Sequence, residues 1–332
     1  MSRIACLMAM TALAVTSLPA VASPEEAREL LERMTEALAT RNYDGLFTHS
    51  TTRQSEVMRI VHRVENGHSV ERLVSLDGSG REIVRTSEQV HCYLPDRRVV
   101  LVEPRSDRGS LLSALPAPVA EADSVYGMGI TGGHRLLGQP VRIVEVLPRD
   151  NYRYGYRIWI AEETAMPLRS AVVDGRGRLI EQVLFTRLDL RESIPASETE
   201  PSVDTTGFHW IHGARPGTLR LSMPAGWRVA RLPPGFRLVG TREQLVPGLP
   251  MPVSHLLFSD GLASVSVFIE PGHARGPAPP AGLRAGSANA FSASVRGRAV
   301  TAVGEVPPAT LRDIATSLVQ DADAASSARI GR

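Results

Sequence analysis

Between Tyr43 and Val102 the chain alternates apolar and polar positions, or runs briefly apolar, and a turn pair cuts most of the runs. The runs are Val57–Val64, Ser69–Val74, Glu82–Thr86, Gln89–Tyr93 and Val99–Val102, with cuts at Asn66-Gly67, Asp77-Gly78 and Pro95-Asp96. Turns of this kind between β-branched runs predict an antiparallel meander in which each strand lies beside the next. The product is a large curved sheet with one face to bury. Just upstream, Ser23, Pro24 and Glu26 read as an N-cap, a first-turn proline and a capping-box acid. Ala27, Leu30, Leu31, Met34, Ala37 and Leu38 then recur at helical spacing up to Thr40. That single apolar stripe is a natural cover for the concave face.

After Val102 the pattern breaks. Residues 103–122 carry a charged run and then Leu111, Leu112 and Leu115 among prolines, which reads either as a plug over the core or as an exposed binding lip. As a lip, the three leucines are candidate lipid contacts. Strands resume at 134–137, 141–147, 153–160, 168–173 and 178–185, giving a first domain over 23–190. Residues 191–207 are polar, with Pro195, Pro201 and no apolar period, the composition of a flexible linker. A second domain over 208–320 offers strands at 218–221, 227–230, 236–239, 255–259, 263–269, 291–295 and 299–303, then a helix from Pro307 to Val319. The tail, 321–332, is expected to fray. The fold class is mainly β with α+β character, a half-closed antiparallel barrel wrapping helices plus a smaller α+β domain.

Composition adds three points. Residues 1–22 have a basic start, an apolar run from Ile4 to Leu18 and Ala20-Val21-Ala22, so an export signal cleaved after Ala22 is expected. An exported chain meets no nucleic acid. With Cys6 removed, Cys92 is the lone cysteine, either a small buried hydrophobe or a reactive thiol, and no internal disulfide can form. Every basic residue except histidine is arginine, and the charge is unevenly spread. Residues 23–206 hold 23 Arg against 28 acids (net −5), and residues 207–332 hold 13 against 7 (net +6). An acidic domain tethered to a basic one can attract itself or offer a partner a cleft of mixed sign.

No nucleophile elbow, phosphate loop or dinucleotide fingerprint is present, and His209 and His212 lack companions at metal-site spacing. No catalytic residue, metal or cofactor is assigned. Interface chemistry is better represented. Tyr152, Arg153, Tyr154, Tyr156 and Arg157 combine rigid amphipathic area with charge-assisted donors, or else are strand alternation with solvated arginines. If the strand is regular, Tyr154 and Tyr156 share one face, opposite Arg153 and Arg157. In the second domain Arg228, Arg231 and Arg237 surround Trp227 and Pro233-Pro234-Gly235-Phe236, and can meet carboxylate or phosphate. These eight residues are the candidate partner contacts.

A set of ordered motifs carries a resemblance: Asn42-Tyr43-Asp44-Gly45-Leu46-Phe47, Arg81-Glu82-Ile83-Val84-Arg85 leading to Cys92-Tyr93-Leu94-Pro95, Pro148 to Trp159, Leu232-Pro233-Pro234-Gly235-Phe236, Phe258-Ser259-Asp260-Gly261-Leu262 and Val303-Gly304-Glu305-Val306-Pro307. Across the mature chain the sequence resembles the MucB/RseB family of periplasmic regulators of sigma-E/AlgU-type envelope-stress sigma factors. The resemblance implies a first domain like the lipoprotein carriers and no catalytic activity. It also implies binding to the periplasmic part of a membrane-spanning anti-sigma factor, shielding it from regulated proteolysis until lipopolysaccharide or a related phosphorylated lipid releases it. Self-association is compatible with all of this. A periplasmic lipid or lipoprotein carrier is the alternative, using the same half-barrel around an apolar cavity.

Overall fold

A computed structural model describes residues 23–105, 123–213, 218–245, 251–272 and 283–320. The N-terminal helix α1 runs over Pro24–Thr40, and its N-cap Ser23 Oγ accepts the Glu26 N–H at 3.2 Å. The Glu26 carboxylate does not complete a capping box but pairs with Arg142. The meander follows as β1 (Asn42–Thr51), β2 (Ser55–Glu65), β3 (His68–Ser75), β4 (Glu82–Arg85), β5 (Gln89–Leu94) and β6 (Val99–Pro104). Asn66 and Gly67, with φ of +51° and +75°, make the β2–β3 turn, the left-handed pair that a two-residue hairpin of matching twist requires. A second meander is β7 (Tyr126–Leu136), β8 (Gln139–Pro148), β9 (Gly155–Ala161), β10 (Pro167–Val173) and β11 (Leu179–Arg191).

The two meanders fuse where β11 pairs antiparallel with β1. With β12 (His209–His212) added parallel to β6, the result is one twelve-strand sheet whose edges, β7 and β12, are not joined to each other. It is open, not a closed barrel. All six stripe residues of α1 are buried and form one core with Tyr43, Phe47, Met58, Ile60, Val144, Val146, Tyr156, Ile158 and Phe185. From β2 to β7 a flat sheet would be about 30 Å wide, while a helix is only about 10–12 Å across. One contiguous core therefore requires the sheet to curl around α1.

The stretch 191–207, expected as a flexible linker, is laid along the outer face instead. Ile194 and Thr199 are buried, Arg191 and Arg59 pair with Glu198 at 2.9 and 3.3 Å, and the Ser202 N–H donates to Glu82 Oε2 at 3.0 Å. Val203 and Phe208 pack on Val84, Tyr93, Val100 and Val102. The apolar residues here have no period because they follow no helix or strand, so composition alone hid the packing. For the same reason residues 209–212, assigned from the sequence to the second domain, belong to the first sheet.

The second unit holds β13 (Trp227–Val229), β14 (Arg237–Gln244), β15 (Val253–Ser259), β16 (Ser264–Ile269), β17 (Leu283–Ala285), β18 (Ala288–Val295), β19 (Arg298–Gly304), α2 (Pro308–Thr316) and β20 (Leu318–Gln320). Its main sheet has the order β14-β15-β16-β19-β18-β17, and β13 pairs with β20. Leu311, Ile314 and Ala315 of α2 meet Leu256, Phe258, Val265, Val267, Val300 and Ala302 in a core of its own. The strand expected at 218–221 is reduced to a single bridge between Arg220 and Thr241.

Candidate partner-binding junction between the two domains

The Tyr/Arg stretch sits where the two units meet. Strand β9 starts only at Gly155, so Arg153 and Tyr154 precede it and do not alternate as a regular strand would. Arg153, Tyr154 and Tyr156 are all buried, at 1%, 5% and 4% exposure. Simple alternation, with Arg153 on the solvent side, is therefore corrected.

Arg153 reaches full burial because every side of its guanidinium is met. Nε and Nη2 donate to the two carboxylate oxygens of Asp150 at 3.0 Å each, and Nη1 donates to Asp260 Oδ2 of the second unit at 2.6 Å. Nη2 also donates to the Pro234 carbonyl, and the plane lies 5.4 and 5.2 Å from the ring centres of Tyr126 and Phe236. Asp260 is equally committed. Its Oδ2 accepts the Tyr126 hydroxyl at 3.2 Å, and its Oδ1 accepts the N–H groups of Leu262 and Ala263 at 2.9 and 2.7 Å. Burial first, and then the Asp260 charge, push the Tyr126 hydroxyl far up, so it stays a donor. At Gly235 φ is +79° and a Cβ would stand 2.9 Å from Val125 Cγ1, so the loop that offers the Pro234 carbonyl approaches this closely only with glycine.

The units also exchange side chains. Tyr152 packs against the second core while Leu262 packs against the first. Thr310 Oγ1 donates to the Tyr152 carbonyl at 2.7 Å, and Asn289 Nδ2 donates to the Tyr154 hydroxyl at 3.1 Å. Further along, Glu181 Oε2 accepts the Ser287 N–H at 2.6 Å while Oε1 lies 2.6 Å from His49 Nε2. The hydrogen bond to Glu181 outweighs burial and raises the His49 pKa. Burial works to raise the Glu181 pKa, yet the hydrogen bonds from His49 and Ser287 leave it lowered.

Two clefts flank this seam. One, of about 310 Å³, is lined by Tyr152, Arg231, Leu232, Pro233, Asp313 and Thr316, and it brings together two of the sequence candidates. The other, of about 550 Å³, is lined by Tyr156, Leu262, Ser264, Ser266, Phe268, Val303 and Glu305. Arg157 is half-exposed and paired with Glu145 at 2.7 Å. Arg228 and Arg237 are exposed and line neither cleft, while Trp227 packs half-buried against the second core and Phe236 is buried within it. Leu111, Leu112 and Leu115 lie outside the described residues. Cys92 is free and half-buried on β5, and burial pushes its thiol up, away from reactivity. Among the described residues no group of three or more His, Cys, Asp or Glu is placed to hold a metal.

Sequence reasoning missed Asp260, Tyr126, Asn289, Thr310, Glu181 and Glu305 as parts of this junction. Asp260-Gly261 reads only as a turn, and the glycines after Tyr126 mask a strand. The one usable signal was indirect, since a Tyr/Arg cluster of this density asks for carboxylates and rings elsewhere in the chain.

Taken together, the molecule is a two-unit, β-rich protein whose most elaborate chemistry is an interface. Residues 26–203 match the MucB/RseB N-terminal domain and residues 222–319 the MucB/RseB C-terminal domain, and the chain belongs to the MucB/RseB family. It is 31% identical over 319 residues to the sigma factor AlgU regulatory protein MucB of Pseudomonas aeruginosa, covering 90% of this chain and 92% of that one. It is 26% identical over 319 residues to the sigma-E factor regulatory protein RseB of Haemophilus influenzae, covering 90% and 93%. Among solved structures, the crystal structure of MucB in complex with MucA(peri) superposes with a TM-score of 0.67 at 28% identity, over 89% of this chain and 99% of that one. Proteins of this family are periplasmic, and so is this chain.

Proposed function

We propose that this chain is a negative regulator of a sigma-E-type envelope-stress response that binds the periplasmic domain of a membrane-spanning anti-sigma factor. The observation that carries this reading is full-length kinship with a protein solved in complex with MucA(peri), spanning both domains. Bound there, the chain shields the anti-sigma segment from regulated proteolysis, and lipopolysaccharide or a phosphorylated lipid relieves the shielding. The protein acts by binding, without catalysis. The concave face of the half-barrel is filled by the apolar stripe of α1.

The contact residues proposed are those that the junction leaves reachable. Tyr152 and Arg231 serve from one cleft and Tyr156 from the other, with Arg157, Arg228 and Arg237 reaching the partner from the surface outside the clefts. Arg153 and Tyr154 act indirectly by fixing the angle between the units. The test is to mix the mature chain with the purified periplasmic domain of the anti-sigma factor from the same organism and add the first-cutting protease. The reading expects a stable complex on gel filtration and slowed cleavage that lipopolysaccharide restores; no complex at micromolar concentrations overturns it.

A further inference from the structure

The larger cleft holds polar groups that the fold itself does not use. Tyr156 is 4% exposed, yet its hydroxyl has no hydrogen-bond partner among the described residues. The ring is buried while the residue lines the cleft, so the hydroxyl is a donor available to a ligand there. Glu305 lines the same space and has no ion-pair partner among the described residues. Glu305 is solvent-exposed, and partial desolvation first, then the charge of Glu181, raise its pKa, so a cation is favoured beside it.

Ser266 supplies a third group, and its orientation can be deduced. Arg242 Nε donates to His255 Nδ1 at 3.1 Å, so that ring nitrogen is the acceptor and the ring proton sits on Nε2. Burial, and then the Arg242 charge, hold His255 down at about 4, which keeps the ring neutral. Nε2–H therefore donates to Ser266 Oγ at 2.9 Å and leaves the Ser266 hydroxyl proton aimed at no group of the protein among the described residues. The remaining lining is apolar, from Leu262, Phe268, Ala288 and Val303, and Ser264 and Val303 are solvent-exposed at the open side. An open, strand-lined groove suits an extended chain better than a compact small molecule.

We propose that this cleft, between Tyr156 of the first domain and the Ser264–Phe268 and Val303–Glu305 strands of the second, seats an extended partner segment in which an apolar side chain adjoins a basic one. The apolar group fills the Leu262–Phe268–Val303 wall, the cation meets Glu305, and segment carbonyls accept from Tyr156 and Ser266. Sign decides the class of occupant. Glu305 and Glu181 both disfavour an anion here, so the phosphate of a lipid is directed elsewhere. This inference rests on the proposed reading of a protein partner and names which part of it is held.

Fluorescence anisotropy of the mature chain with two labelled short peptides, one alternating leucine and arginine and the other leucine and glutamate, tests it. The leucine/arginine peptide is expected to bind more tightly. Glu305→Gln is expected to weaken it about tenfold and Tyr156→Phe about three- to fivefold, with circular dichroism unchanged. Asp313→Asn, in the other cleft, leaves it unaltered. Equal binding of both peptides, or no loss in both Glu305→Gln and Tyr156→Phe, overturns the proposal, as does a larger loss in Asp313→Asn. Competition by lipopolysaccharide micelles that disappears in Glu305→Gln also overturns it. The purified anti-sigma domain separates this failure from that of the proposed function. Unchanged affinity in both variants removes the cleft and keeps the regulator, whereas no binding by the unaltered chain removes the regulator.

Discussion

Two parts of one seam use the same residue types to opposite ends. Around Arg153 every donor is met and both units are committed, with Asp150, Asp260, the Pro234 carbonyl and two rings closing on one guanidinium. Around Tyr156 and Glu305 the tyrosine hydroxyl and the carboxylate have no hydrogen-bond or ion-pair partner among the described residues, and a cleft opens beside them. The difference teaches that a buried polar group with its partners in place holds structure, while polar groups that open onto a cleft are available for binding.

The sharpest way to break the comparison is Arg153→Ala. It leaves Asp260, fully buried, without its cation, and removal of one partner from a buried pair costs about 3–5 kcal/mol. Urea melts should show that loss and a separation of the two domain transitions, whereas a change below about 1 kcal/mol would mean that the node is not what joins them. On the open side, Glu305→Gln should leave the urea midpoint nearly unmoved while the peptide affinity falls. Gly235→Ala comes next. With φ at +79° and Val125 Cγ1 2.9 Å from the added Cβ, the loop must withdraw from Arg153, for about 1–2 kcal/mol.

The smallest expected effect is in pH. The His49 pKa is raised in the folded chain, so its contribution is complete below the unfolded value near 6.5 and is lost as pH rises through the folded value. The Glu181 pKa is lowered, so its contribution is present above the unfolded value and lost as pH falls through the folded one. The pair at the edge of the seam is therefore strongest in mildly acidic solution. Stability followed from pH 6 to pH 8.5 should decline by up to about 1 kcal/mol, and His49→Gln should flatten that slope. An identical slope in the variant would show that the pair does not sense the interface.

Much of the fold was legible. Strands β2 to β6, α1 and α2 follow from alternation, turn pairs and helical stripes, because each carries its own periodic apolar face, legible without knowing the neighbour that buries it. Residues 126–133 escaped because Gly127, Gly129, Gly132 and Gly133 erase the alternation of β7, whose pairing with β8 supplies what side chains do not. Strand β12 escaped because only β6, far back in the chain, defines it. Of the site, the Tyr/Arg stretch was visible as interface chemistry. That its first client is the chain's own second domain was not, since the carboxylate that permits Arg153 to be buried lies 107 residues away.

Hydrogen–deuterium exchange on the mature chain, free and bound to the periplasmic domain of its anti-sigma factor, tests most directly whether one part of the seam holds the domains and the other holds the partner. The account predicts that residues around Arg153 and Asp260 are already slow in the free protein and change little. New protection should appear at 262–268, 303–305 and the start of β9. Protection confined to other surfaces, with 262–268 and 303–305 exchanging as before, would contradict it.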